Sequence, residues 1–195
     1  MSILVLTSDT LIGTPATGNL EYNGQFFGTD SNASRAQMQR ITLGTAVAST
    51  SGTSITFSSL PAWIKKITVM FSGVSLSAAS YVMVQLGTSA GIAATGYLSY
   101  GGQTPSAAGT AATTGMLMPF TGAGVLRYGS MTLFSFSGNT WLSSFSVGAD
   151  SAGSGFGACG GGNVTLAGTL DRIRITTLNG TDTFDAGSIN IMYEG

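Results

Sequence analysis

Histidine is absent from this chain of 195 residues, and cysteine occurs once. The first absence removes Ser-His-Asp and Cys-His catalysis and the common zinc sites, all of which use an imidazole. The second rules out an intrachain disulfide and any multi-cysteine metal centre. Charge is scarce as well: Asp, Glu, Lys and Arg make up 8% of residues, against roughly 25% in ordinary soluble domains. Seven Lys and Arg face eight Asp and Glu. No basic stripe is left to neutralise a phosphate backbone, so nucleic acid is not an expected partner. Long apolar runs are missing too, although mean hydropathy is +0.34. A spanning helix needs ~20 consecutive apolar residues, and none approaches that. The run at residues 3–6 is short, lacks a basic flank and is followed by Thr7-Ser8-Asp9. Neither a signal peptide nor membrane insertion is expected from it.

Glycine, serine, threonine and alanine fill the space that charge leaves. A surface of that kind repels its own copies weakly, which favours association. No apolar i, i+3, i+4 pattern is sustained anywhere, whereas period-2 alternation recurs. It is clearest at residues 53–86, which reads as three strands: 54–57, 64–71 and 81–86. In the second, Ile67, Val69 and Phe71 alternate with Lys66, Thr68 and Met70. In the third, Val82, Val84 and Leu86 alternate with Tyr81, Met83 and Gln85. Pro61 cannot donate to a ladder and separates the first two. The rest of the chain is expected to pair with this block.

Residues 3–6 are a further short strand candidate. Leu20-Glu21-Tyr22, Asn23-Gly24 and Gln25-Phe26-Phe27 predict a β-hairpin, because a type I′ turn needs positive φ at both central residues. Residues 33–40 predict one or two helical turns capped by Asn32 or Ser34. Strands are predicted at 41–49, 94–100, 130–137, 140–147, 163–167, 171–178 and 184–193, with turns at Gly138-Asn139 and Asn179-Gly180. The glycine-rich stretches 101–115 and 148–162 read as exposed loops. Eight to ten short strands with regular turn signals predict an all-β antiparallel β-sandwich, of jelly-roll type. A small N-terminal β-hairpin segment at 1–40 precedes the sandwich at 41–195. That segment is too small to own a core and must dock on something.

No constellation carries chemistry. A glycosidase needs two carboxylates about 5–9.5 Å apart; Asp182 and Asp185 lie close in sequence but read as turn residues. With Asn179 they offer oxygen ligands for Ca²⁺, but in no known loop spacing. Cys159, between glycines with no basic neighbour, reads as a small buried or loop residue. Arg172 and Arg174 point one way from their strand, toward either an acidic partner surface or a neighbouring carboxylate such as Glu194. Lys65 and Lys66 read as edge charges that discourage mispairing. Trp63 reads as a lid on the core. Tyr97 and Tyr100 flank the 101–115 stretch, and with Gln103 they are the candidates for surface recognition, since ring faces pack on apolar sugar faces. No cofactor, metal or catalytic residue is expected.

Residues LTSDTLIGTPATGNLEYNGQFFGTDSNASRAQ resemble a module of tailed-phage and prophage structural proteins, in which a Thr/Gly-rich lead and an EY-N/D-G hairpin precede the main domain. The stretches TSGTSITFSSLPAWIKKITVMFSGVSLS, VQLGTSAGIAATGY and LDRIRITTLNGTDTFDAGSINIMYE are similar to a β-domain of tail-fibre-like virion proteins. Residues 101–162 match least. The resemblance implies a non-enzymatic virion protein and a homotrimer. Residues 1–40, through Leu20, Tyr22, Phe26 and Phe27, would then attach to other virion proteins, and the sandwich would contact a host surface glycan. No coiled-coil heptads or collagen-like repeat accompany these motifs, so a compact spike, a fibre tip or a capsid-attached decoration protein is expected ahead of a long fibre. A depolymerase ranks last, for want of an acidic pair.

Overall fold

The computed structural model of the protein describes residues 10–195 apart from 12, 15, 24 and 105–108. The strand candidate at residues 3–6 lies outside the described residues. The chain divides into two compact units, Met1–Arg40 and Ile41–Gly195, and no helix occurs among the described residues.

In the first unit β1 (Leu20–Tyr22), β2 (Phe26–Thr29) and β3 (Arg35–Gln37) form an antiparallel sheet. The predicted hairpin is present, but its register sets Tyr22 opposite Phe26. The connection is therefore three residues long and not the two of a type I′ turn; Gly24 itself lies outside the described residues. The helical turns predicted at 33–40 are replaced by β3. Asp30 Oδ1 accepts from the N–H groups of Asn32 and Ser34 at 2.9 Å each, and Ala33 takes φ 57°, which closes a turn where a helix would have to start. Arg35 then reaches across to Glu21, Nε to Oε2 at 2.7 Å.

The second unit runs β4 (Ile41–Leu43), β5 (Val47–Ala48), β6 (Ser54–Phe57), β7 (Lys66–Leu76), β8 (Val82–Thr88), β9 (Gly91–Ile92), β10 (Leu98–Thr104), β11 (Gly109–Ala112), β12 (Met116–Met118), β13 (Leu126–Ser137), β14 (Thr140–Ser151), β15 (Ser154–Thr165), β16 (Arg172–Thr177) and β17 (Phe184–Glu194). One sheet has the order β11-β10-β15-β14-β13-β7-β17-β4, with β5 also on β17; the other has β12-β8-β16-β6, with β9 on β8. The chain is thus an all-β antiparallel sandwich. Set aside β14, β15, β10 and β11, and two four-stranded sheets remain, β4-β17-β7-β13 and β6-β16-β8-β12. The chain passes between them at every step except β8 to β12, an order consistent with a jelly roll.

The inner faces meet in one core. Ile67, Val69, Phe71, Met131, Leu133, Ile189 and Ile191 from the large sheet join Val82, Val84, Leu86, Ile173 and Ile175 from the small one. Each such side chain contributes about 1.5–3 kcal/mol on burial. β7 runs past the predicted end at Phe71. Its inward residues shift phase there, from Ile67, Val69 and Phe71 to Val74 and Leu76, because Gly73 takes φ 65° and forms a bulge. Opposite it, Gly187 at φ 86° would drive a Cβ into the Gly73 carbonyl. The two glycines let the sheet bend without turning any apolar residue outward.

Arg127 sits at this bend with 0% exposure. Its Nη1 donates to Val125 O at 2.9 Å and its Nη2 to Phe120 O at 2.8 Å, with Val74 O at 3.5 Å. Phe120 and Val125 lie on the crossover from β12 to β13. Backbone carbonyls that leave one sheet before reaching the other lack ladder partners, and the guanidinium supplies them. Burial pushes its pKa down to about 10, opposed by the charge of Asp185.

Most described residues of both predicted glycine loops are strand. β10 and β11 pair across the 101–115 stretch, and β14 and β15 run through 148–162. Close approach explains the glycines. The Phe145 ring lies over Gly101 and Gly160, which are paired with each other: a Cβ at Gly160 would stand 2.6 Å from Phe145 Cε1, and one at Gly101 2.8 Å from its Cζ. Two further expected strands differ in their bounds. The 41–49 strand is broken at Gly44 into β4 and β5, and the 94–100 strand begins at Leu98.

Gly160→Ala should lower the unfolding free energy by about 1–3 kcal/mol, the usual cost of overpacking. Gly155→Ala, where a Cβ meets nothing within 4 Å, should change it by less than ~0.5 kcal/mol. Denaturant titration of the two variants checks this; equal effects would remove the close-packing account of β15.

Candidate functional site

The large sheet continues beyond β13 through β14, β15, β10 and β11; its inner face there joins the same core, and its outer face carries many small residues. Register places Ala111, Tyr100, Gly161 and Ser144 in one row, and Gly109, Gly102, Cys159 and Ser146 in the next. Tyr100 is 60% exposed. It stands beside a shallow recess of about 550 Å³ with a floor of glycine backbone and Cys159 at its side. Such a floor is low and largely apolar, because the β10 and β15 peptide groups are spent in the ladders and few side chains rise from it. One ring over that floor accepts the apolar face of a planar or cyclic ligand.

Of the three recognition candidates, Tyr100 alone lines this recess. Gln103 is half-buried and alternates onto the opposite face of β10 from Tyr100. Tyr97 is not a surface residue: it is 1% exposed and belongs to the core. Its hydroxyl accepts the Leu86 N–H at 2.7 Å and donates to Ala93 O at 3.0 Å, tying β8 to the chain before β10. Burial pushes its pKa from 10.0 up to about 12, with the Leu86 hydrogen bond and the Arg174 charge working against the rise. Cys159 is on a strand and exposed, neither buried nor in a loop. In the first unit, Leu20, Tyr22 and Phe26 share one face and Phe27 lies on the other. Leu20 and Phe26 are exposed, and the Tyr22 and Phe26 rings are 5.0 Å apart.

The charged candidates have mostly structural partners. Lys66 is not an edge charge. β7 lies between β13 and β17, and Lys66 Nζ meets Glu194 Oε1 at 2.9 Å. Arg172 pairs with its neighbour Asp171 at 2.7 Å, so neither Arg172 nor Arg174 takes Glu194. Asn179 Oδ1 accepts from Thr181 N–H and Asp182 N–H at 3.1 Å each, which commits it to its turn. Asp185 accepts from Ser75 Oγ. Trp63 is half-buried against Tyr193, ring centroids 5.7 Å apart. Two features escaped the sequence reading. The buried Arg127 carries no local signal in the sequence that would mark it as a core residue. A second recess, of about 250 Å³ on the outer face of the small sheet, is lined by Gln85, Arg174, Thr176 and Asn179.

The raised Tyr97 pKa has a pH signature. A group held protonated by the fold stabilises it fully below its unfolded pKa, about 10, and that contribution is lost as pH rises toward its folded value of about 12. The stability difference between the wild type and Tyr97→Phe should therefore stay constant from neutral pH to about 10 and narrow above it. Unfolding free energies measured across that range check it; a difference that widens above pH 10 would contradict the burial.

No protein-family model, no curated protein and no solved structure matches the chain. Its role has to be read from its own surface.

Proposed function

We propose that the chain is a non-enzymatic structural protein of a phage virion, a tail-fibre-like or receptor-binding component that contributes to host adsorption. The observation that carries this is the outer face of the extended sheet. It is broad and poor in charge, and it presents Tyr100 over a glycine floor. The composition supports the same reading, since a particle-bound subunit tolerates a surface with little charge. So does the commitment of carboxylates to structural partners: Glu21 to Arg35, Glu194 to Lys66, Asp171 to Arg172 and Asp185 to Ser75. The resemblance of the N-terminal hairpin to phage modules gives residues 1–40 the attachment role, with Leu20 and Phe26 as exposed apolar contacts. The same resemblance implies three copies, whose combined contacts turn weak glycan binding into firm adsorption.

Exposed Cys159 offers a label for locating the protein in intact particles. Signal at the tail is the expected result; signal over the shell would make it a capsid decoration or head-fibre protein. Tyr100→Ala should leave thermal stability unchanged and slow adsorption of virions about tenfold, the loss of one stacking contact per copy. An unchanged adsorption rate would sink the receptor-binding reading. Sedimentation equilibrium at micromolar concentration should give three times the chain mass of 19.7 kDa; a monomer would remove the trimer.

A further inference from the structure

We propose that the recess on the outer face of the small sheet binds an acidic sugar residue, with its carboxylate on the Arg174 guanidinium. The inference goes beyond the proposed function. It concerns a different sheet from the Tyr100 recess and does not depend on that reading.

Arg174 projects outward from β16, in register with Gln85 of β8 on one side and Thr56 of β6 on the other. Its Nε donates to Gln85 Oε1 at 2.8 Å. Gln85 is 3% exposed, and its Nε2 donates to Thr114 O at 2.7 Å. Since a carbonyl only accepts, that second bond fixes which end of the amide faces the arginine. The guanidinium is held from behind by a buried, fully oriented amide. A buried amide costs free energy unless both its ends are satisfied, and an apolar side chain would fill the position more simply. What Gln85 adds is orientation, the property a recognition arginine needs.

Three of the four other cations of this unit contrast with it: Lys66 and Arg172 have carboxylates within 3 Å, and Arg127 donates to backbone carbonyls. The fourth, Lys65, stands exposed and lines no recess with Arg174. Among the described residues Arg174 forms no ion pair, and its hydrogen bond to Gln85 uses Nε alone. Arg174 lines a recess of about 250 Å³ that no Asp or Glu lines. That is below the ~300–1,000 Å³ of drug-sized sites and suits one sugar ring. Asn179 lines it with its side-chain oxygen already used in the turn, leaving the amide N–H₂ as donor. The exposed Ser54 hydroxyl and the Thr176 oxygen complement sugar hydroxyls, and Leu178, 40% exposed, offers an apolar edge. One fixed cation, several hydroxyl-matching groups and no competing anion fit a uronic or sialic acid better than a bare anion, which would use the arginine alone.

Saturation-transfer NMR or calorimetry on the full chain tests this with methyl β-D-glucuronide, methyl β-D-glucoside and glutarate. The glucuronide should bind at millimolar concentration, and the other two about tenfold more weakly. Arg174→Lys, which keeps the charge and loses the fork, should weaken glucuronide about tenfold, the equivalent of one charge-assisted hydrogen bond. Gln85→Leu, which leaves Arg174 in place but unheld, should weaken it severalfold with the thermal midpoint preserved. Three outcomes overturn the proposal: no glucuronide binding, equal binding of the glucoside, or an affinity unmoved by Arg174→Lys. Glutarate binding as tightly as the glucuronide overturns it too, in favour of an acidic peptide side chain. Adsorption is not the readout, so this site and the proposed function stand or fall separately.

Discussion

The register of β7 is the constraint that the second unit inherits. β7 is hydrogen-bonded on one side to β13 and on the other to β17, strands that arrive about 60 and 120 residues later in the chain. Because side chains alternate with period 2, a slip of one residue would turn Ile67, Val69 and Phe71 into water and bring Lys66, Thr68 and Met70 inward. That penalty fixes the pairing of Met131 and Leu133 on β13 and of Ile189 and Ile191 on β17, whose own inward residues must meet the same core. The Gly73–Gly187 bulge then carries the pattern through the bend, where an uninterrupted strand would have exposed Val74 and Leu76.

Arg127 belongs to the same bend. A sandwich whose chain crosses repeatedly from sheet to sheet leaves carbonyls at each crossing without ladder partners, and between β12 and β13 one buried guanidinium collects them. Nη1 and Nη2 of Arg127 meet carbonyls already fixed in place, whereas its buried Nε has no hydrogen-bond partner among the described residues. Beyond β13 the large sheet runs on through β14, β15, β10 and β11. The glycines there let β10 and β15 approach beneath Phe145, and by the same absence of side chains they leave the low outer floor beside Tyr100. Packing on one face and a smooth surface on the other follow from one composition.

The candidate sites were legible only in part. Tyr97 and Tyr100 lie three residues apart and looked equivalent, yet one closes the core and the other stands in solvent, because they fall on opposite sides of where β10 begins. The pairing of Gln85 with Arg174 joins residues 89 apart in the chain, and no local pattern announces it. Arg172 and Arg174 were correctly placed on one face of their strand. Which of them had an acid could not be read there, since it depended on Asp171 folding back and on Lys66 already holding Glu194.

Local alternation determined the class of fold: period-2 stretches at β7, β8, β13, β14, β16 and β17 admit no helix, and Pro61 and the Gly138 and Gly180 turns divide them. The shortage of charge and the absence of histidine determined what chemistry was excluded. Tertiary structure decided the rest. Glycine runs such as GFGACGGG carry the same local signal in a loop as in a close-packed strand; only the neighbours β10 and β14, with the Phe145 ring overhead, made β15 a strand. Strand order, the buried Arg127 and the oriented Arg174 fork likewise depend on which distant residues meet, and a chain read one window at a time does not contain that information.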